Sequence, residues 1–165
     1  MSEPKAWYAI YTRARHEKKV EIQIKQKGLE AYLPTREVLR QWSDRKKWVE
    51  EPLFSCYCFV HATPVERYQA VQSYGAVKVL GFNGAPSIVR DFEIENIKRV
   101  LKEMPETESC SDLVKGDQVR IIRGSLIGLE GWLEEVRGEK RFVVSIPSIR
   151  QAIRFNVALA DIERI

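Results

Sequence analysis

Between Leu53 and Val60 the chain runs Leu-Phe-Ser-Cys-Tyr-Cys-Phe-Val, with no charge and no glycine. Pro52 precedes the run, and aromatic, thiol and β-branched side chains fill it. Such a stretch reads as a strand buried on both faces. Two uses are open to it: a central core strand, or a strand whose rings line an apolar docking pocket for a partner. At 165 residues the chain can build one or two small domains, each with its own core.

The elements before this run follow from local pattern. Ala6 to Thr12, rich in aromatics and preceded by Pro4, predicts a strand with Trp7, Ala9 and Tyr11 on one face and Tyr8 and Ile10 on the other. Arg13 to Gln26 predicts a helix, with Val20 and Ile24 as its apolar stripe, a Glu21–Lys25 pair, and Gly28 at the stop. Its first turns carry Arg13, Arg15, Lys18 and Lys19 against Glu17 alone. Cations at a helix N-terminus oppose the macrodipole, so either a phosphate backbone keeps them there or they form a solvated face. Leu29 to Pro34 predicts a short strand. Arg36 to Glu50 predicts a protruding hairpin around the polar tip Ser43-Asp44-Arg45-Lys46-Lys47.

After the central run, Thr63-Pro64-Val65-Glu66 has the form of a capped helix start, and Gly75 closes that helix. A strand over 76–80, a turn over 81–84 and a third helix from Asp91, carrying Ile94, Ile97, Val100 and Leu101, complete the pattern. The order β-α-β-β-α-β with a trailing helix predicts an α+β, ferredoxin-like sandwich. Residues 104–112 lose the apolar period and read as a linker. Val114 to Asp117 then reads as a turn. Strands at 118–122, 132–136, 141–146 and 152–157, with Gly124, Gly128 and Gly131 between the first two, predict a small β-barrel over 113–165. The first domain is then 1–103.

Charge and cysteine usage narrow the function. The net charge is +4, yet residues 1–50 hold 12 Lys/Arg against 7 Asp/Glu, so the positive excess lies in the first third. A basic face of that kind suits phosphate, although a plain solvated surface reads the same way. Cys56, Cys58 and Cys110, with His16 and His61, do not fall at the usual Cys/His spacings of a four-ligand zinc site. Cys56 and Cys58, two apart on a strand, are poorly placed for a disulfide, so the thiols read as reduced packing residues. No catalytic triad, phosphate-cradling glycine loop or metal set is present, so the expectation is no enzyme, no metal and no cofactor. No apolar run is long enough to span a bilayer and the first residues carry no signal-peptide pattern, so a cytoplasmic protein without membrane contact is expected.

Taken together, three segments resemble one family. Trp7-Tyr8-x-x-Tyr11-x-x-x-Arg15-x-Glu17-x-Lys19, then Tyr32-Leu33-Pro34, then Glu51-Pro52-Leu53-Phe54-x-x-Tyr57-x-Phe59-Val60 are similar to the N-terminal domain of NusG-type transcription elongation factors. Gly116-Asp117-x-Val119-Arg120-Ile121, with the glycines after it, resembles the KOW motif of their C-terminal barrel. Three departures mark a specialised paralogue. The family's Phe-Pro-Gly-Tyr turn is here Phe54-Ser55-Cys56-Tyr57, its Gly-Pro-Phe is Gly124-Ser125-Leu126, and 146–151 does not match the housekeeping protein's last hairpin. The hairpin tip and the Glu51-Pro52-Leu53-Phe54 segment look most like the RfaH and UpxY antiterminators of surface-polysaccharide operons.

The resemblance implies a factor that binds the clamp helices of RNA polymerase and suppresses pausing and termination. It implies an apolar pocket drawing on Trp7, Tyr11, Phe54, Tyr57 and Phe59. It also implies a nontemplate-DNA surface at Arg13, Arg15, Lys18 and Lys19, with Gln23, Gln26, Ser73 and Tyr74 placed to read or stack a base. The barrel would recruit a ribosomal protein or the Rho terminator, and the protein would act as a monomer. The competing reading is a KOW-domain RNA-binding or ribosome-associated protein without polymerase. That protein has no need of grouped, exposed rings, so the exposure of the aromatic set separates the two.

Overall fold

The computed structural model describes residues 3–111 and 116–165. Its first elements are β1 (Ala6–Thr12), α1 (Glu17–Gln26), β2 (Glu30–Tyr32), β3 (Thr35–Gln41), β4 (Lys46–Pro52) and β5 (Tyr57–Ala62). Next come α2 (Pro64–Val71), β6 (Ala76–Val79), β7 (Gly81–Phe82), β8 (Ala85–Pro86), β9 (Ile88–Val89) and α3 (Asp91–Glu103). The remainder is β10 (Glu108–Ser111), β11 (Asp117–Ile121), β12 (Glu130–Val136), β13 (Glu139–Ile146), β14 (Gln151–Asn156) and β15 (Ile162–Arg164).

The chain divides into two compact units: Met1–Thr35 with Glu51–Ile94, and Arg36–Glu50 with Glu95–Ile165. The expected boundaries, 1–103 and 113–165, are drawn differently. The hairpin β3–β4 falls with the later residues, and the Arg36 guanidinium donates to the Thr107 carbonyl at 3.2 Å. The expected linker also changes, because 108–111 within it form β10, whose backbone pairs with β14. Asp112 of that linker, and Val114 and Lys115 of the expected turn, lie outside the described residues.

In the first unit the strands order β2-β5-β1-β6, all antiparallel, with β9 also pairing β1. This is the β-α-β-β-α-β connectivity expected from the sequence. One sheet face carries Tyr8, Ile10, Cys58, Val60 and Ala62, which pack with Val20 and Ile24 of α1 and Ala70 of α2. Each fully buried Val or Ile here contributes about 1.5–3 kcal/mol relative to exposure. Helix α2 starts as expected: the Thr63 hydroxyl accepts the Glu66 N–H, and the Glu66 side chain returns to the Thr63 backbone. The turn over 81–84 is a tight hairpin, β7 to β8, with Asn83 and Gly84 both at positive φ, the geometry of a type I′ turn.

Two sequence expectations fail in this unit, each for a nonlocal reason. Leu53 to Val60 is not one strand. β5 begins only at Tyr57, and Leu53 to Cys56 form a loop held by other parts of the chain. Leu53 N–H donates to Pro34, Thr12 N–H to the Cys56 carbonyl at 2.9 Å, and Cys56 N–H to the buried Glu17 carboxylate at 3.0 Å. Cys56 and Cys58 therefore do not share a strand, although all three cysteines are free thiols. Helix α1 likewise starts at Glu17 instead of Arg13, because Arg15 takes a left-handed backbone (φ 63°) that ends any helical run through it.

In the second unit six antiparallel strands order β10-β14-β13-β12-β11-β15, with β10 and β15 at the two ends of the pairing among the described residues. The expected strands are present within a residue or two, and β10 and β15 are additions to them. Phe142 and Phe155 face each other across β13 and β14 and stack at 5.4 Å, amid buried Val119, Ile121, Val144 and Ile153. On the exposed side Arg120 bridges Glu130 and Glu163, and Glu108 holds both Arg141 and Arg154. Cross-strand charge pairs of this kind fix register more than they add stability.

Candidate functional site

The five rings expected to form a docking pocket do not share one environment. Trp7, Phe54 and Phe59 are buried at 7%, 1% and 0% exposure, and only Tyr11 and Tyr57 are half-buried. The reason is the loop of 53–56. Its backbone anchors turn Phe54 inward, where its ring meets Phe59 edge-on at 6.4 Å. Trp7 stacks on His61 at 5.0 Å, and His61 in turn lies 2.9 Å from the Glu30 carboxylate. Tyr11 and Tyr57, opposite each other in the β1–β5 register, make an edge-to-face pair at 5.8 Å. Burial, then Tyr11, pushes the Tyr57 phenol up, so it remains an O–H donor at neutral pH. An apolar contact with a polar tip is thus available at Tyr11 and Tyr57, while the other three rings hold the sheet in place.

The expected nucleic-acid residues meet where the turn between β1 and α1 approaches the turn after α2. Arg13 N–H donates to the Gly75 carbonyl at 2.8 Å. Gly75 has φ 96°, and a Cβ there would stand 2.8 Å from His16 Cβ, so the close approach of the two turns requires glycine twice over. The Gln23 amide clamps Tyr74: its Oε1 accepts the Tyr74 N–H and its Nε2 donates to the Tyr74 carbonyl, both at 2.8 Å. Lys27 Nζ donates to the Ser73 hydroxyl at 3.0 Å and to the Gln69 carbonyl at 2.8 Å.

The Tyr74 ring itself is 65% exposed. His16 meets it edge-on at 5.7 Å, and the Arg13 guanidinium lies 5.9 Å from its centroid. His16 Nδ1 lies 2.9 Å from the Ala14 carbonyl, which can only accept, so that nitrogen carries a proton. Arg15, Lys18, Lys19 and Gln26 are exposed.

Gln23 turns both ends of its amide to the Tyr74 backbone, and the Ser73 hydroxyl, 4% exposed, accepts from Lys27. Sequence reasoning missed the positioning roles of Lys27 and Gly75; the only local signal was the glycine at the end of the helix pattern. No group of three or more His, Cys, Asp or Glu among the described residues could hold a metal ion. Among them, no helix is long and apolar enough to cross a membrane.

The fold and this surface define a mixed α/β protein with a small helix-backed sheet, an exposed ring beside a basic turn, and a second unit that joins most of α3 to a six-stranded antiparallel sheet. Residues 5–98 match the family described as "Transcription termination factor nusG", and the chain belongs to the NusG family. "Transcription termination/antitermination protein NusG" of Thermus thermophilus is 29% identical over 85% of this chain and 89% of its own length. The protein of the same description from Streptococcus pyogenes is 26% identical over 82% and 83%. The solved structure "Domain interaction in Thermotoga maritima NusG" aligns over 98% of this chain and 97% of that chain, with TM-score 0.55 and 26% identity.

Proposed function

We propose that this chain is a transcription elongation and antitermination factor of the specialised RfaH/UpxY type, acting without catalysis. In this reading it binds the clamp helices of RNA polymerase and the nontemplate strand, and suppresses pausing and termination at particular operons, such as those for surface polysaccharide. The observation that carries the reading is the family match over 5–98, which spans both the Tyr11–Tyr57 pair and the Tyr74 turn. The Tyr pair is the docking contact for the clamp, supported by the polar-tipped aromatic character that interface hot spots favour. Arg13, Arg15, Lys18 and Lys19 follow the phosphates, and Tyr74 stacks an unpaired base.

The departure Phe54-Ser55-Cys56-Tyr57 from the family's Pro-Gly turn supports a paralogue over the housekeeping factor. In the same reading residues 113–165 act as a KOW-type barrel joined by a short connection, and recruit a ribosomal protein or Rho. The protein works as a cytoplasmic monomer.

The test is a reconstituted elongation reaction with purified RNA polymerase on a template carrying the operon's leader and a terminator. The full-length protein is expected to bind the elongation complex and raise read-through on its own operon's leader. Absence of binding to elongation complexes on any template sinks the polymerase reading. Binding without leader dependence sinks the specialised one.

A further inference from the structure

The hairpin of β3 and β4 has no part in the surface described above. Its turn is closed by the Trp42 N–H donating to the Arg45 carbonyl at 2.7 Å. Every residue over 39–48 is exposed, including Trp42 at 52%, Trp48 at 63% and Leu39 at 46%. The same ten positions hold Arg40, Arg45, Lys46 and Lys47 against one acid, Asp44. Two indoles in the open lose the burial that usually justifies a tryptophan, so their place calls for a ligand.

The chemistry of the neighbours selects that ligand. Protein interfaces are enriched in Trp and Arg but depleted in Lys, whereas adjacent lysines beside exposed rings suit a polyanion with flat faces. We infer that the β3–β4 hairpin is a docking site for an unpaired nucleic-acid strand, whose bases stack on Trp42 and Trp48 while Arg40, Arg45, Lys46 and Lys47 meet its phosphates. Stacking uses the π-face that every base has, and no built pocket selects a sugar. The site therefore takes ribose and deoxyribose strands alike and reads no sequence. This inference stands independently of the polymerase reading, because it rests only on the hairpin.

The experiment uses the full-length protein and oligo(dT) and oligo(rU) of about 20 nucleotides, followed by tryptophan quenching and by anisotropy of a labelled strand. Both strands are expected to quench, with affinities within about threefold of each other. The pair Trp42→Leu/Trp48→Leu should weaken binding about tenfold or more, and Trp42→Phe/Trp48→Phe should restore most of it. Lys46→Glu/Lys47→Glu should lower the slope of log K against log salt by about 1.4, two phosphate contacts on a single strand. Since these side chains are exposed, circular dichroism should show the fold unchanged.

The basic turn is controlled by repeating the titration in Arg15→Glu/Lys19→Glu, where the quench that depends on Trp42 and Trp48 should persist. Its loss there would assign the strand to the other surface and overturn the inference. So would a Leu pair that binds like the Phe pair, or a duplex that binds as tightly as the single strand. Anionic phospholipid vesicles that quench where the oligonucleotides do not would assign the hairpin to a membrane surface instead.

Discussion

Gln23 holds Tyr74 from both sides of its peptide, accepting its N–H and donating to its carbonyl at 2.8 Å each. The side chain of one helix thereby imitates a neighbouring strand and fixes where an exposed ring stands. Gln23→Ala is expected to weaken single-strand binding at the basic turn several-fold, because the backbone that carries the Tyr74 ring is no longer held. The stability cost should be about 1–2 kcal/mol, two net hydrogen bonds. Gln23→Glu keeps the acceptor but sets a carboxylate oxygen against the Tyr74 carbonyl, so it should do no better. Hydrogen exchange at the Tyr74 amide separates the cases: it should be slow in the wild type and fast in Gln23→Ala. Wild-type strand affinity in Gln23→Glu would show that the clamp does not set the ring.

Cys56 occupies the position where the resembled family places glycine, and its φ of 68° is left-handed. A side chain there costs about 1–2 kcal/mol, while glycine loses about 0.5–1 kcal/mol more backbone entropy on folding. Cys56→Gly is therefore expected to stabilise the protein by roughly 0.5–1 kcal/mol, read as a higher urea midpoint at unchanged slope. A midpoint equal to or below the wild type would mean that the thiol's packing outweighs the strain.

The same loop shows what the sequence could and could not disclose. Thr63, Pro64 and Glu66 predict the start of α2 because a capping box is written within four residues and needs no distant partner. Leu53 to Cys56 look like strand because nothing local marks a turn. The turn exists through Glu17, Thr12 and Pro34, and through a positive φ at a residue that is not glycine. Arg15 hid the start of α1 in the same way. In the second unit β11 to β14 were legible from alternation and glycines. β10, Glu-Ser-Cys-Ser, has no apolar alternation and is a strand only because β14 pairs with it. The site divided along the same line. The basic residues and Tyr74 could be nominated by type, but which polar groups were already engaged depended on Gly75, Lys27 and the meeting of two turns.

Phe54 and Tyr57 stand three residues apart and should respond differently to truncation. Phe54 is fully buried against Phe59, so Phe54→Ala should cost about 3–5 kcal/mol and leave little folded protein at 37 °C. Tyr57 is half-buried beside Tyr11, so Tyr57→Ala should fold, with a melting point only a few degrees lower. If the Tyr pair is the docking contact, Tyr57→Ala loses copurification with RNA polymerase while remaining folded. Wild-type copurification by folded Tyr57→Ala would remove the pair from the interface.

Cys58 offers a pH-dependent test of the core between the sheet and α1. Burial, reinforced by Glu21, pushes its thiol up to about 12 from an ordinary 9.0. The folded state thus holds the proton more tightly than the unfolded one. The resulting stability is present in full below pH 9 and is lost as pH rises from about 9 toward 12, where the unfolded thiol ionises first. Cys58→Ala should accordingly start less stable at pH 7, through its lost packing, but decline less steeply above pH 9 in chemical denaturation. Alkylation of the native protein at pH 8 should leave Cys58 unmodified, and Cys56 and Cys110, raised chiefly by burial but less enclosed, should react before it. Rapid alkylation of Cys58 in folded protein, followed by mass spectrometry, would show that this part of the core opens to solvent far more readily than its packing implies.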